Sequence, residues 1–261
     1  MDSILLENLT WLDVQEYLKK ENVILLPVGS LEQHGPHLPL ATDSINVQFL
    51  AVNAAEACQV LVAPTVRPGV SFNHMKFPGT MTLRPETLVE LISDMVNSLV
   101  SHGFRKIILL NGHGGNNAAI ELAAIKLKEN HPKVVIGVLH AWLLSKEGGK
   151  VLECPIQYHA DEGETSEMLV SAKPLVRMER AIKEIPHSRS GLFSFQITEV
   201  FGQTTFYGLP KTHTVTQSGI FGDATLATEE KGRVLFDEEV KNLIQEIERL
   251  KKLNLEDYVE G

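Results

Sequence analysis

Hydrophobic residues in this chain fall into short unbroken runs, with stretches of helical period between them. Residues 22–28 (NVILLPV), 59–66 (QVLVAPTV), 106–110 (KIILL) and 134–142 (VVIGVLHAW) are continuous rather than alternating, the pattern of strands covered on both faces. Helices are predicted over 10–20, with Thr10 as N-cap, over 43–57, and over 84–104, with Pro85 in the first turn and Gly103 as the stop. Further helices are predicted over 118–130, over 161–172, and over 227–253, where Val234, Leu235, Val240, Leu243, Ile244, Ile247 and Leu250 form the apolar side. Strand, loop and helix in repeated succession predict an α/β fold with a largely parallel sheet and helices on both faces. Prolines and glycines make 68–80 a loop. Residues 183–222 carry no clear period and are expected to form an excursion that caps the site. With no repeat, linker or shift in composition, residues 1–261 are expected to be one domain.

Composition narrows the function. Hydrophobic residues are 43% and charged residues 22% of 261, which fits a folded globular protein. The net charge of -9 comes without a basic block, so no nucleic-acid partner is expected. Two cysteines, Cys58 and Cys154, without CxxC spacing, exclude a disulfide framework and a cysteine zinc knuckle. No signal peptide and no apolar stretch of about 18 residues are seen, so a cytoplasmic protein with no membrane partner is expected.

The candidate chemistry lies just after the strands. In GSLEQHGPHLPLATDS, residues 29–44, Glu32 and His34 are two apart, so extended chain projects both to one side. A bend through Gly35, Pro36 and Pro39 brings Asp43 back toward them. Carboxylate, imidazole and carboxylate suit a divalent transition metal. A single loop histidine is usually solvated or capped, so the weight rests on the trio; His37 is expected on the rim or orienting a ligand.

In NGHGGNN, 111–117, glycines on both sides of His113 allow close approach by a metal or substrate. A phosphate cradle is the competing use of such a turn, but neither GxGxxG nor GxxxxGK is present. Loops at the carboxyl ends of neighbouring parallel strands share one crevice, where His113 can meet Glu32, His34 and Asp43. In YHADEGETSE, 158–167, a helix N-terminus accounts for two or three of the acidic residues. One glutamate is expected to face the metal and His159 the substrate. The loop SFNHMKFPGTMT, 71–82, offers Ser71 and His74 as substrate contacts, while Phe77 and Pro78 serve as packing or as a substrate wall. No GxSxG elbow supports a serine hydrolase.

Four motifs in this order, GSLEQHGPHLPLATD, HMKFPGT, NGHGGN and HADEGETS, resemble the creatininase (creatinine amidohydrolase) family from about residue 10 to about 225. The resemblance implies a single three-layer α/β/α domain and a binuclear centre of zinc, manganese or iron. It also implies hydrolysis of a carbon–nitrogen amide bond in a small molecule, and a homo-oligomer, commonly a hexamer. Glu32 and His34 would bind different metals, Asp43 would bridge them, and His113 would be a further ligand. Creatininase proper resembles NGHYEN at the third motif, where this chain has Gly114 and Gly115. A carboxylate ligand and part of the substrate wall are thereby missing. Glu164 is expected to supply the carboxylate and to take part in catalysis, with Glu162 as second choice; Gly114 and Gly115 then line the substrate. The GHGGN form also resembles formylaminopyrimidine deformylases and peptide-trimming relatives. His159 is the expected proton shuttle, since imidazole gives and takes protons near neutral pH. A metal-bound sensor without turnover is the competing class.

Overall fold

The structure is a computed structural model that describes residues 3–185 and 211–256. Four strands form a parallel sheet in the order β2-β1-β3-β4: β1 (Val23–Val28), β2 (Leu61–Val62), β3 (Lys106–Asn111) and β4 (Val135–His140). Val28, Asn111 and His140 pair in register, so the chains leaving β1, β3 and β4 emerge side by side at the carboxyl edge. That edge is where an open parallel sheet holds its ligands.

The continuous apolar strands serve two cores. Ile24, Leu26, Ile107 and Leu109 pack against α3 (Pro85–His102) and α4 (Asn117–Asn130), through Leu88, Ile92, Val96, Ile120 and Leu127. The alternate positions Val23, Leu25, Ile108 and Leu110 face α2 (Thr42–Cys58) and α6 (Glu229–Lys252), through Val47, Leu50, Leu243 and Ile247. Burial of one such side chain contributes about 1.5–3 kcal/mol, and truncation of Ile92 or Leu50 to alanine would cost about 2–5 kcal/mol. The largely parallel sheet between helices is as expected.

Local signals set the helix ends. In α1 (Trp11–Leu18), Thr10 accepts from the Asp13 amide while the Asp13 carboxylate accepts from the Thr10 amide at 2.8 Å, a reciprocal capping box. Pro85 opens α3, and Gly103 closes it at φ 115°, a left-handed angle that favours glycine. Thr228 caps α6 by accepting from Lys231 at 3.2 Å. α5 (Glu162–Ser171) starts at Asp161, whose carboxylate accepts from the Glu164 amide at 3.1 Å.

Two expectations change. Only Leu61–Val62 of 59–66 is strand, because Pro64 has no amide proton for a ladder and Val66 rejoins β1 only as an isolated bridge to Val28. Val234 is 40% exposed, off the apolar side of α6, and Phe236 is buried instead. The 183–222 excursion lies largely outside the described residues, but its two ends meet in an antiparallel pair, β5 (Lys183–Glu184) with β6 (Gly222–Asp223).

Candidate metal centre

Three loops and one helix start converge at the carboxyl edge. The loop after β1 carries Glu32 and His34, and the first turn of α2 carries Asp43. His113 follows β3, and His159 and Glu164 stand at the entry to α5. Asn116 ties these segments together: its side chain donates to the Gly29 carbonyl at 2.9 Å and accepts from the Val70 amide at 2.9 Å.

Asp43 is the centre of the group. Its Oδ1 lies 2.9 Å from His34 Nε2, and its Oδ2 lies 2.9 Å from His113 Nδ1 and accepts from the Ser30 hydroxyl at 2.6 Å. Glu32 Oε2 is 3.2 Å from His113 Nε2, and Glu164 Oε2 is 3.7 Å from His34 Nε2. His74 Nε2 and His159 Nδ1 approach Glu32 Oε1 at 3.5 and 3.6 Å. Metal-capable atoms thus fall into three overlapping sets, Glu32/Asp43/His113, His34/His159/Glu164 and Glu32/His74/His159, with the atoms of each set within 4.8 Å of one another.

Two observations test whether these residues fit divalent cations. Both carboxylate oxygens of Glu32 are buried without a hydrogen-bond partner among the described residues, a costly arrangement unless a cation takes their charge. The imidazoles are also fixed from behind. His34 Nδ1 donates to the Glu32 carbonyl at 3.1 Å, and His113 Nε2 donates to the Val70 carbonyl at 3.0 Å. Each then turns its other nitrogen toward Asp43, and a lone pair facing a carboxylate needs a cation between them. A ring nitrogen anchored on a carbonyl with the other free is the usual support of a metal-bound histidine. The residues fit.

The electrostatics agree. Burial alone would raise Asp43, but the His34 and His113 imidazoles outweigh it and hold the carboxyl well below the ordinary carboxylate range. Burial pushes Glu32 and Glu164 up, against the pull of His113 and His34 respectively. Burial would lower His34 and His113, yet the carboxylates beside them push these up to about 10 and about 9. The cluster demands positive charge. Burial with His34 and His74 nearby keeps His159 well below its ordinary value, a neutral base.

Of the four acidic residues around the α5 entry, Glu164 alone turns to the cluster. Glu162 is corrected: its carboxylate faces away, accepting from Lys231 at 2.5 Å and from the Cys154 amide at 2.7 Å. Asp161 caps the helix, and Glu167 accepts from Asn46 at 3.2 Å. Ala160, between His159 and the cap, has φ 49°, a strained angle for a residue with a Cβ, and its amide donates to Glu164. His37 lies outside the donor sets formed by the described residues, with Nε2 2.8 Å from the Thr165 hydroxyl. Ser71 is buried, and its hydroxyl oxygen, like the Glu32 carboxylate, has no hydrogen-bond partner among the described residues. Gln33 escaped the sequence reading; lying between two candidate ligands was its one signal.

Residues 7–247 match the family described as creatininase, creatinine amidohydrolase. The chain belongs to the creatininase family. Among curated relatives, the 3-dehydro-scyllo-inosose hydrolase of Thermotoga maritima is 29% identical, over 98% of this chain and 85% of that one. The mycofactocin precursor peptide peptidase of Mycobacterium tuberculosis is 31% identical over 87% and 84%. The creatinine amidohydrolase of Pseudomonas putida is 31% identical over 70% and 78%. A manganese creatininase superposes with TM-score 0.83 at 24% identity, covering 96% of this chain and 100% of that one. A zinc–zinc form of a creatininase variant superposes with TM-score 0.80 at 25% identity, covering 96% and 99%. This creatininase-family chain is an amidohydrolase-type enzyme.

The two glycines that depart from NGHYEN differ from each other. A Cβ on Gly115 would lie 2.2 Å from the Val70 carbonyl oxygen and 2.5 Å from His113 Nε2, so no side chain fits there as the loop stands. A Cβ on Gly114 would meet no described atom within 4 Å. No described atom crowds Gly114, whereas Gly115 is packed against backbone and the ring of His113.

Proposed function

We propose that this chain is a metal-dependent amidohydrolase that cleaves a carbon–nitrogen amide bond in a small, possibly cyclic, molecule, as creatinine amidohydrolase does. The observation that carries the reading is Asp43 held between two anchored imidazoles, beside the unpartnered carboxylate of Glu32. Glu32, Asp43 and His113 would hold one divalent ion, and His34, Asp43 and Glu164 the second. Glu164 thus supplies the carboxylate that Gly115 lacks. Zinc or manganese, with iron as a further choice, suits this mixture of nitrogen and oxygen donors. Bound ions would supply a water of lowered pKa and polarise the amide carbonyl.

The chain's own residues do the rest. His159 donates from Nε2 to the Gln33 carbonyl at 2.8 Å, which leaves the Nδ1 lone pair facing the centre. At that atom it takes the proton of the attacking water and passes it to the departing nitrogen, a service worth about 100- to 10,000-fold. Ser71 and Gly114 flank the space beside the centre, where the substrate would lie. We read residues 1–261 as one such domain that assembles as a homo-oligomer.

Elemental analysis, followed by assays on creatinine, a formylaminopyrimidine and short peptides with zinc, manganese or iron, tests the proposal. Creatine or formate is the expected product. Peptide trimming is the second reading, favoured by the mycofactocin peptidase relative and by a Gly114 that no described atom crowds; free amino acid as the sole product would replace the first reading with it. No product with any metal would return the chain to a binding role.

A further inference from the structure

Gln33 sits between two proposed ligands, and the chemistry above gives its side chain no role. The side chain is buried, and two main-chain groups fix its orientation. Its Oε1 accepts from the Gly35 amide at 2.9 Å, and its Nε2 donates to the Gly219 carbonyl at 3.2 Å. An amide N–H can only donate and a carbonyl can only accept, so the ends of the Gln33 amide cannot be exchanged. Gly219 permits the approach: its φ is +90°, and a Cβ there would lie 1.8 Å from Gln33 Oε1.

Two histidines meet this fixed amide. Gln33 Nε2 lies 2.8 Å from His74 Nδ1 and 2.8 Å from His159 Nε2. His159 Nε2 is also 2.8 Å from the Gln33 carbonyl, which can only accept, so that nitrogen carries a proton. With that proton directed at the Gln33 carbonyl, the 2.8 Å approach of the two Nε2 atoms joins two donors and is not a hydrogen bond. Gln33 gives its two to the Gly219 carbonyl and His74 Nδ1, and His159 gives its one to the Gln33 carbonyl. The Thr212 hydroxyl, 3.4 Å from His74 Nδ1, can donate or accept and adds no constraint.

We propose that Gln33 is a positioning residue that holds His74 with its proton on Nε2, so that His74 presents a hydrogen-bond donor to the centre and not a metal ligand. A ring nitrogen that bears a proton has no lone pair for a metal, which removes His74 from the ligand sets its position would otherwise allow. Its Nε2–H points at the Glu32 side of the cluster, where it suits an oxygen of the substrate, the carbonyl or the negatively charged oxygen that follows attack. The catalytic consequence rests on the amidohydrolase reading; the tautomer itself does not.

Long-range proton–nitrogen correlation spectra of histidine-labelled protein, metal-free and zinc-loaded, read the tautomers directly, with the His74 signals assigned by His74→Asn. His74 should appear as the Nε2–H form in both states of the unaltered chain, a measurement that needs no folded variant. In Gln33→Glu a carboxylate replaces the donor, so His74 should move its proton to Nδ1, while His159 keeps Nε2–H because its partner is main chain. Zinc content should be unchanged, and turnover of whichever substrate yields product should fall about 100-fold. An Nδ1–H form in the unaltered chain, or loss of the Nε2 proton when zinc binds, would overturn the proposal. So would a Gln33→Glu protein with an unmoved tautomer or undiminished turnover. If no substrate is cleaved while the tautomers are as stated, the amidohydrolase reading fails and the assignment of His74 stands.

Discussion

Gly115→Ala adds one methyl group at a crowded point beside His113. The new Cβ would stand 2.2 Å from the Val70 oxygen and 2.5 Å from His113 Nε2, well inside contact distance of two atoms that also hydrogen-bond each other at 3.0 Å. Neither can retreat alone. Val70 O belongs to the backbone of a buried residue whose amide is bound to Asn116 at 2.9 Å, and His113 Nδ1 faces Asp43. Overpacking of this kind costs about 1–3 kcal/mol, which a chain of this length shows as a melting shift of about 2–4 °C per kcal/mol. The larger effect should fall on metal. Losing the carbonyl that orients a metal-bound histidine typically weakens affinity about 10- to 100-fold. Gly114→Ala is the internal control, since its Cβ meets no described atom within 4 Å and should leave stability within about 0.5 kcal/mol. Urea unfolding of metal-free protein measures the first effect, and zinc titration against a competing chelator the second. A Gly115→Ala protein with the zinc affinity and stability of its Gly114 counterpart would refute the reasoning.

Five further variants have expected outcomes. Asp43→Ala should lose most of its metal by elemental analysis, because one carboxylate faces both His34 and His113; full occupancy would end its bridging role. Glu164→Gln should lose metal with little change in stability. Glu162→Gln should keep metal yet unfold more easily by about 3 kcal/mol, having broken a buried pair with Lys231. His159→Ala should keep its metal while turnover drops at least about 100-fold, and concurrent loss of metal would make it a ligand. Glu239, buried on α6 beside Ser145, is pushed up by burial to about 8 from an ordinary value of 4.5. The folded chain therefore holds this proton more tightly, so its contribution is complete below about pH 4.5 and is lost as pH rises through about 8. Each tenfold in proton affinity is about 1.4 kcal/mol, which sets a ceiling of ~5 kcal/mol. Glu239→Gln should flatten the fall in unfolding free energy between these pH values, and an unchanged slope would count against the assignment.

The sheet was legible because a parallel strand covered on both faces has to be apolar throughout, and three of the four runs become strands of six residues. The residues of 59–66 deceived because composition does not register that Pro64 cannot donate to a ladder. Glu32, His34, Asp43 and His113 could be named because each stands just beyond a strand end or at a helix start, where the fold brings loops together. The acidic residues of 158–167 were harder. Spacing cannot say which of Glu162 and Glu164 turns inward; that choice depends on Lys231, which arrives almost seventy residues later from α6. Gln33 was missed for a related reason, since its partners lie in 74, 159 and 219 and its place between Glu32 and His34 does not say what its side chain meets.

The pairing of Lys231 with Glu162 and the seating of Gly232, where a Cβ would lie 2.0 Å from the Ser166 carbonyl oxygen, lock the start of α5 onto α6. Every proposed ligand has been translated by residue 164, yet the brace that sets the last of them belongs to α6, more than sixty residues later. A ribosome-bound chain ending before α6 would carry all the donor atoms without the framework that aims Glu164. Capture of the metal that Glu164 is proposed to hold would then wait until α6 has emerged and folded onto α5.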